Sequence, residues 1–308
     1  MSRVKVILLY PFYPLDFELP QYIFVCMKAG YVSIIGKPNV GKSTLLNRLL
    51  RENLSIVSKK PQTTRHRILG IWTEDDNQIV FVDTPGFFNP KNELDRAMQI
   101  QIKRSSEDAD LTLILISPEH PEVPSEIFSY FKTPIFLLIN KIDIIELDEL
   151  QEIKASIEES SFAEVLLISA LSGENVEKLI PLIIKYLPRE HPFYPPEYLS
   201  DRPERFFIAE IMREKILDEY KQEIPYSTTV QVVDMKDEKI DINIYVEKES
   251  QKGIIIGKGG EKLKKVATSA RKDIENLLGK HVYISTWVKV RKNWRKNKND
   301  LKRFGYYE

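Results

Sequence analysis

The octet Gly36-Lys37-Pro38-Asn39-Val40-Gly41-Lys42-Ser43 constrains this chain more than any other stretch. It matches G-x-x-x-x-G-K-[ST] and sits between a short apolar run, YVSII (31–35), and a helical pattern that opens at Lys42, Ser43 and Thr44. Glycines there let backbone N–H groups converge on phosphate oxygens, and the helix N-terminus adds partial positive charge. Lys42 is placed to reach the β- and γ-phosphates of a nucleoside triphosphate, and the Ser43 hydroxyl to ligate Mg²⁺.

From Gly30 to about Leu187, apolar runs of strand length alternate with helical patterns: IVFVD (79–83), LTLILI (111–116), PIFLLIN (134–140) and EVLLIS (164–169) follow YVSII. Short runs buried on both faces and separated by helices predict a mostly parallel α/β sheet. A run near Ile68–Trp72 leads into IVFVD through EDDN and reads as a hairpin, hence an antiparallel edge strand.

Three further segments end predicted strands, where open α/β sheets bind ligands. Asp83-Thr84-Pro85-Gly86 offers a carboxylate for Mg²⁺ through its water shell and a Gly86 amide for the γ-phosphate, although D-T-P-G alone also makes a good turn. Asn140-Lys141-Ile142-Asp143 and Ser169-Ala170-Leu171 choose the base. An aspartate carboxylate only accepts hydrogen bonds, so Asp143 suits the N1–H and N2 amino donors of guanine. The Ala170 N–H suits guanine O6, whereas adenine would leave Asp143 unpaired at about 1–3 kcal/mol. GTP is therefore the expected ligand.

Together, GKPNVGKS, DTPG, NKID and SAL resemble the translation-factor-related GTPase superfamily over roughly Gly30–Leu187. The resemblance implies that KKPQTTRHR (59–67) is the first switch, with Thr64 as the Mg²⁺ ligand and Thr63 as second choice. Many relatives place a glutamine after DTPG to orient water, but this chain has Phe87 followed by Phe88. The branch with an apolar residue there is implied to hydrolyse GTP slowly without a side-chain base, in some members with K⁺ near a P-loop asparagine, which Asn39 matches. A protein that holds GTP without meaningful turnover is the alternative that Phe87 leaves open.

Five prolines in LPREHPFYPPEYLSDRP break the pattern. After this expected linker (188–203) comes an α-β-β-α-α-β order: a helix at 204–220, alternating runs at 227–235 and 239–247, helices flanking GKGG, and HVYISTWVKV (281–290). KGIIIGKGGEKLKK is no second nucleotide loop, because Lys258 is followed by Gly259 and not by Ser or Thr. It resembles the turn of a bacterial-type KH domain, in which Gly257-Lys258-Gly259-Gly260 clamps about four single-stranded nucleotides. That resemblance makes Ile254, Ile255 and Ile256 an apolar wall for bases as well as part of the core. Lys262, Lys264, Lys265, Arg291, Lys292 and Arg295 become phosphate contacts, with stacking at Trp294. A KH-like domain that contacts protein only is the rival reading.

Charge agrees with a polyanionic partner. Residues 251–308 carry 16 Lys and Arg against 5 Asp and Glu, on a chain whose formal net charge is zero; a solvated basic tail is the bland alternative. The fold expected is thus a P-loop GTPase domain (27–187), a proline-rich linker, a KH domain (204–296) and a frayed basic tail (297–308), with residues 1–26 a dispensable extension. That extension has an apolar run, but prolines and acids keep it short of the roughly 18 apolar residues of a membrane span. One cysteine, Cys26, fits a reducing, cytoplasmic setting. The domain pair resembles the Era family within the TrmE-Era-EngA-like GTPases. This implies GTP/GDP with Mg²⁺, binding near the 3′ end of small-subunit ribosomal RNA, a role in 30S subunit assembly, and peripheral membrane association of a monomer.

Overall fold

The computed structural model describes residues 27–58, 60, 62–75, 77–123 and 133–307; the extension 1–26 lies outside the described residues. The first unit comprises β1 (Met27–Gly36), α1 (Lys42–Leu50), β2 (Ile68–Glu74), β3 (Asn77–Asp83), α2 (Glu93–Glu107), β4 (Leu111–Ile116), β5 (Ile135–Ile139), α3 (Leu147–Ala155), β6 (Glu164–Leu167) and α4 (Leu179–Tyr186). Its sheet runs β2-β3-β1-β4-β5-β6. Neighbours are parallel except β2, which pairs antiparallel with β3 as the hairpin reading expected.

The central strands are apolar on both faces because both faces are covered. Leu45 and Leu46 of α1 and Leu179 and Ile183 of α4 pack on Val32, Phe81 and Leu113. On the opposite face, Ile102 of α2 and Ile153 of α3 meet Ile35, Ile114 and Leu137. Each fully buried aliphatic side chain contributes about 1.5–3 kcal/mol. With the strands so fixed, Gly36, Asp83 and Asn140 all emerge at the same edge.

The proline-rich stretch is a strap rather than a free linker. After β7 (Arg189–Glu190), which pairs with the start of β1, Gln78 binds it with its buried side-chain amide. Gln78 Oε1 accepts from the N–H groups of Phe193 (2.7 Å) and Tyr194 (3.0 Å), and Nε2 donates to the Tyr194 carbonyl (2.7 Å). Farther along, Ile71 N–H donates to Leu199 O at 2.9 Å, and Ser200 Oγ to Leu69 O at 2.6 Å.

The second unit comprises α5 (Glu204–Glu219), a single helical turn (Ile224–Ser227), β8 (Thr229–Lys236), β9 (Lys239–Val246), α6 (Glu249–Ile256), α7 (Glu261–Leu278), β10 (Tyr283–Val290) and α8 (Lys298–Arg303). The sheet order is β10-β9-β8, with β10 parallel to β9 and β8 antiparallel. Ile240, Ile242 and Ile244 project from β9 onto Met212, Ile255, Val266 and Ile274 of the helices. The expected α-β-β-α-α-β order is present.

The expected frayed tail is the main departure. Residues 298–303 form α8, and Trp294, Leu301 and Tyr306 are buried against Leu94, Ala97 and Met98 of α2. Lysines and asparagines hide an apolar set, Leu301, Phe304 and Tyr306, that joins one cluster with Trp294. Among the described residues, no helix is long and apolar enough to cross a membrane.

Candidate nucleotide site and nucleic-acid interface

Gly41, the residue before α1, has φ 100°, and a Cβ there would lie 2.2 Å from Asn140 Nδ2. Glycine is thus required both by conformation and by the close approach of the base-side loop. Lys42 is buried, with Nζ donating to the carbonyls of Gly36 (3.1 Å) and Lys37 (2.9 Å). Burial lowers its pKa to about 8, partly opposed by the Asp83 carboxylate. Burial pushes Asp83 up from the usual carboxylate range, opposed first by Lys42.

Ser43 Oγ donates to Asp83 Oδ2 at 2.7 Å and lies 2.8 Å from Thr64 Oγ1. Two hydroxyls and one buried carboxylate converge, all hard oxygen donors. With phosphate oxygens and water completing six ligands, this set fits Mg²⁺. Thr63, the second choice, turns away and donates to Lys60 O at 2.6 Å. Gly86 packs against Pro38, and Phe87 N–H donates to Gly36 O at 3.0 Å. The Phe87 ring packs into the core with Ile35 and Ile102, away from any role in orienting water. The Thr84 hydroxyl is buried and donates to Ile34 O at 2.8 Å, so this residue braces the strand and its side chain is not free for nucleotide.

On the base side, Asn140 is buried and stitches two loops together. Its Nδ2 donates to Val40 O at 2.7 Å, and its Oδ1 accepts from the Ala170 N–H at 2.8 Å. The Ala170 donor assigned to guanine O6 is thus directed at Asn140 here. Ser169 Oγ donates to Asp143 Oδ1 at 2.5 Å and accepts from Ser172 N–H. Lys37 pairs with Glu122 and Lys141 with Glu119, both on the rim. Val40 is buried and Leu171 exposed.

The segment expected to be the first switch also enters the second domain. Arg65 is fully buried, with its guanidinium donating to Pro225 O and Thr228 O, both at 2.8 Å. Arg213, paired with Glu210 through Nε at 2.8 Å, donates to Thr63 O. Burial opposes both charges of that pair, yet the Arg213 guanidinium holds Glu210 below the usual carboxylate range, and Glu210 raises Arg213. Lys60 Nζ donates to Leu217 O and to Tyr220 O (2.7 Å), capping the C-terminus of α5. His66 stacks on Tyr306 with ring centroids 4.4 Å apart, and burial depresses its pKa to about 4.

In the second domain, α6 ends at Gly257 (φ 71°), where a Cβ would lie 2.8 Å from Lys262 Cγ. Gly259 and Gly260 follow with φ 60° and 83° and open space around them. The turn therefore presents backbone that phosphates can approach. Lys258, Lys262, Lys264 and Lys265 are exposed around it, with Lys265 paired to Glu219 at 2.7 Å. Ile254 is 42% exposed beside them.

A family model described as 50S ribosome-binding GTPase matches residues 31–141, and a KH domain model matches 218–295. Among solved structures, a tyrosine-to-alanine variant of Aquifex aeolicus Era bound to GDP·AlF4⁻ is 39% identical, with a TM-score of 0.87 over 92% of this chain and 100% of that one. A structure of Era in complex with MgGDPNP and nucleotides 1506–1542 of 16S ribosomal RNA gives the same values. The chain belongs to the Era family.

Within this Era-family chain, the residues expected to contact RNA divide between core and surface. Ile255 is fully buried in the KH core, leaving Ile254, and partly Ile256, to face outward. Trp294, expected to stack on bases, is fully buried and donates its indole N–H to Ser227 O at 2.9 Å. Arg291, half exposed, is tied to Asp300 at 2.8–3.0 Å and Arg295 to Glu247, so both also brace the C-terminal segment. Sequence reasoning missed Lys60, Arg65, Glu210, Arg213 and Tyr220. The basic run KKPQTTRHR was the available signal, but its partners are mostly main-chain carbonyls, which no residue type advertises.

Proposed function

We propose that this protein is a Mg²⁺-dependent GTPase that binds single-stranded RNA at the 3′ end of 16S ribosomal RNA and acts in 30S subunit biogenesis. The observation that carries the reading is the continuity of Thr64 and Arg65: one meets Ser43 at the phosphate end, the next is buried in the KH domain. The nucleotide site and the KH domain are thereby joined through two adjacent residues of one segment. The Era relatives bound to GDP·AlF4⁻ and to MgGDPNP with 16S rRNA support both halves. Hydrolysis proceeds without a side-chain base, since Phe87 packs into the core. When bound, Mg²⁺ neutralises charge developing on the phosphates. Ser43 and Thr64 would hold it directly and Asp83 through its water shell, Lys42 binds phosphate oxygens, and Asn39 assists K⁺. The lone cysteine fits action in the cytoplasm.

The test is phosphate release at saturating GTP, with and without a 3′-terminal 16S oligonucleotide, in K⁺ and in Na⁺ buffer. Lys42→Ala is expected to abolish release, and Na⁺ to slow it; equal rates in the two buffers sink the K⁺ role. Gly259→Asp, which puts a carboxylate and a strained residue in the turn, is expected to cut oligonucleotide affinity at least tenfold. Unchanged affinity would favour a KH domain that contacts protein.

A further inference from the structure

Arg48 lies in the last turn of α1, five residues beyond Ser43, and no phosphate-loop or base motif includes it. Its side chain crosses to the S-A-L loop. Nε donates to Ala170 O at 3.2 Å, and Nη2 donates to Leu171 O. The loop turns back at Gly173 (φ 94°), and a Cβ there would sit 3.5 Å from the Arg48 Cζ, in van der Waals contact. The guanidinium thus fills the inside of the loop and fixes the two peptide planes that follow the Ala170 N–H. Leu171 is 70% exposed and supplies no apolar anchor of its own. Two other ties hold the front of the loop: Ala170 N–H to Asn140 Oδ1, and Ser169 Oγ to Asp143. Both of those ties use groups that must also serve the base, whereas Arg48 holds the loop from behind through carbonyls that the base does not need.

We infer that Arg48 is a positioning residue for base selection: it holds the backbone of the loop that carries the Ala170 N–H, the donor expected to meet guanine O6, and so couples the phosphate-loop helix to guanine preference. The inference rests on the GTP-binding reading above. A planar fork suits the task, because it spans two carbonyls at once where a lysine ammonium is a single point charge. The contact is specific to the base side. Lys42 and Ser43 sit at the other end of α1, held by Gly36, Lys37 and Asp83 without help from Arg48.

The experiment measures dissociation constants of GTP, ATP and inorganic triphosphate for the full chain, wild type, Arg48→Ala and Arg48→Lys. In Arg48→Ala, GTP affinity is expected to fall about tenfold, roughly one well-placed hydrogen bond. ATP and inorganic triphosphate should change less than about twofold, so guanine preference falls about tenfold, and KM for GTP rises with kcat retained. Arg48→Lys should recover part of the loss. Equal weakening of all three ligands, or no change in the GTP-to-ATP ratio, overturns the inference. If Arg48→Ala folds poorly, Arg48→Lys decides alone by the same ratio. Failure of the wild type to bind GTP would instead overturn the functional reading beneath it.

Discussion

Neighbouring threonines in one loop have different jobs. Thr64 reaches the Ser43 hydroxyl and is buried, while Thr63 closes a local turn on Lys60 O. Chemistry alone does not separate them, since either hydroxyl can ligate a cation. What separates them is Arg65, whose burial in the KH domain fixes the rotation of the backbone just before it. Thr64→Ala is therefore expected to slow phosphate release on the order of 10²-fold, comparable to losing one preorganised transition-state contact. Thr63→Ala should stay within about threefold in the same assay. A reversed order would place Thr63 at the metal. The sequence supported this ranking by adjacency to Arg65, but it offered no sign that Arg65 itself would be buried.

At the scale of elements, α1 illustrates how local strain is tolerated at a helix end. Its C-cap, Arg51, adopts φ 58°, where glycine is the usual residue, and its N–H donates to Arg48 O at 3.3 Å. A β-carbon in this conformation costs about 1 kcal/mol. Arg51→Gly is thus expected to stabilise the free protein by about 0.5–1 kcal/mol in urea unfolding; destabilisation would show that the arginine side chain contributes more than its backbone costs. Elements with a periodic apolar signal were legible throughout: the doubly covered strands, the hairpin edge and the KH order. Those built on mixed polar sequence were not. In RKNWRKNKNDLKRFGYY the lysines and arginines dominate, and only tertiary packing on α2 reveals Trp294, Leu301 and Tyr306 as core. The strap at 188–203 was concealed for a similar reason, since Gln78 recognises its backbone and not its side chains.

Across the whole molecule, bonded contacts connect the phosphate end to the RNA turn. Ser43 meets Thr64; Lys60, in the same switch, caps α5 at Leu217 and Tyr220; and the Tyr220 hydroxyl donates to Ile255 O at 2.6 Å, in the last turn of α6 before Gly257. Tyr220 is 3% exposed, so its ring is held by packing and its hydroxyl has no solvent alternative. A spatial path is not by itself coupling; the physical requirement is that both ligands bias one element. Here that element is the C-terminus of α5, gripped by the switch on one side and bonded to α6 on the other. Tyr220→Phe keeps the ring and deletes only the strut. The ratio of oligonucleotide affinity in GDPNP to that in GDP is then expected to shrink about fivefold, a coupling of about 1 kcal/mol, with phosphate release in the absence of RNA unchanged. A ratio equal to that of the wild type would show that nucleotide state reaches the turn by rigid-body placement of the domains, through Arg65, and not through α6.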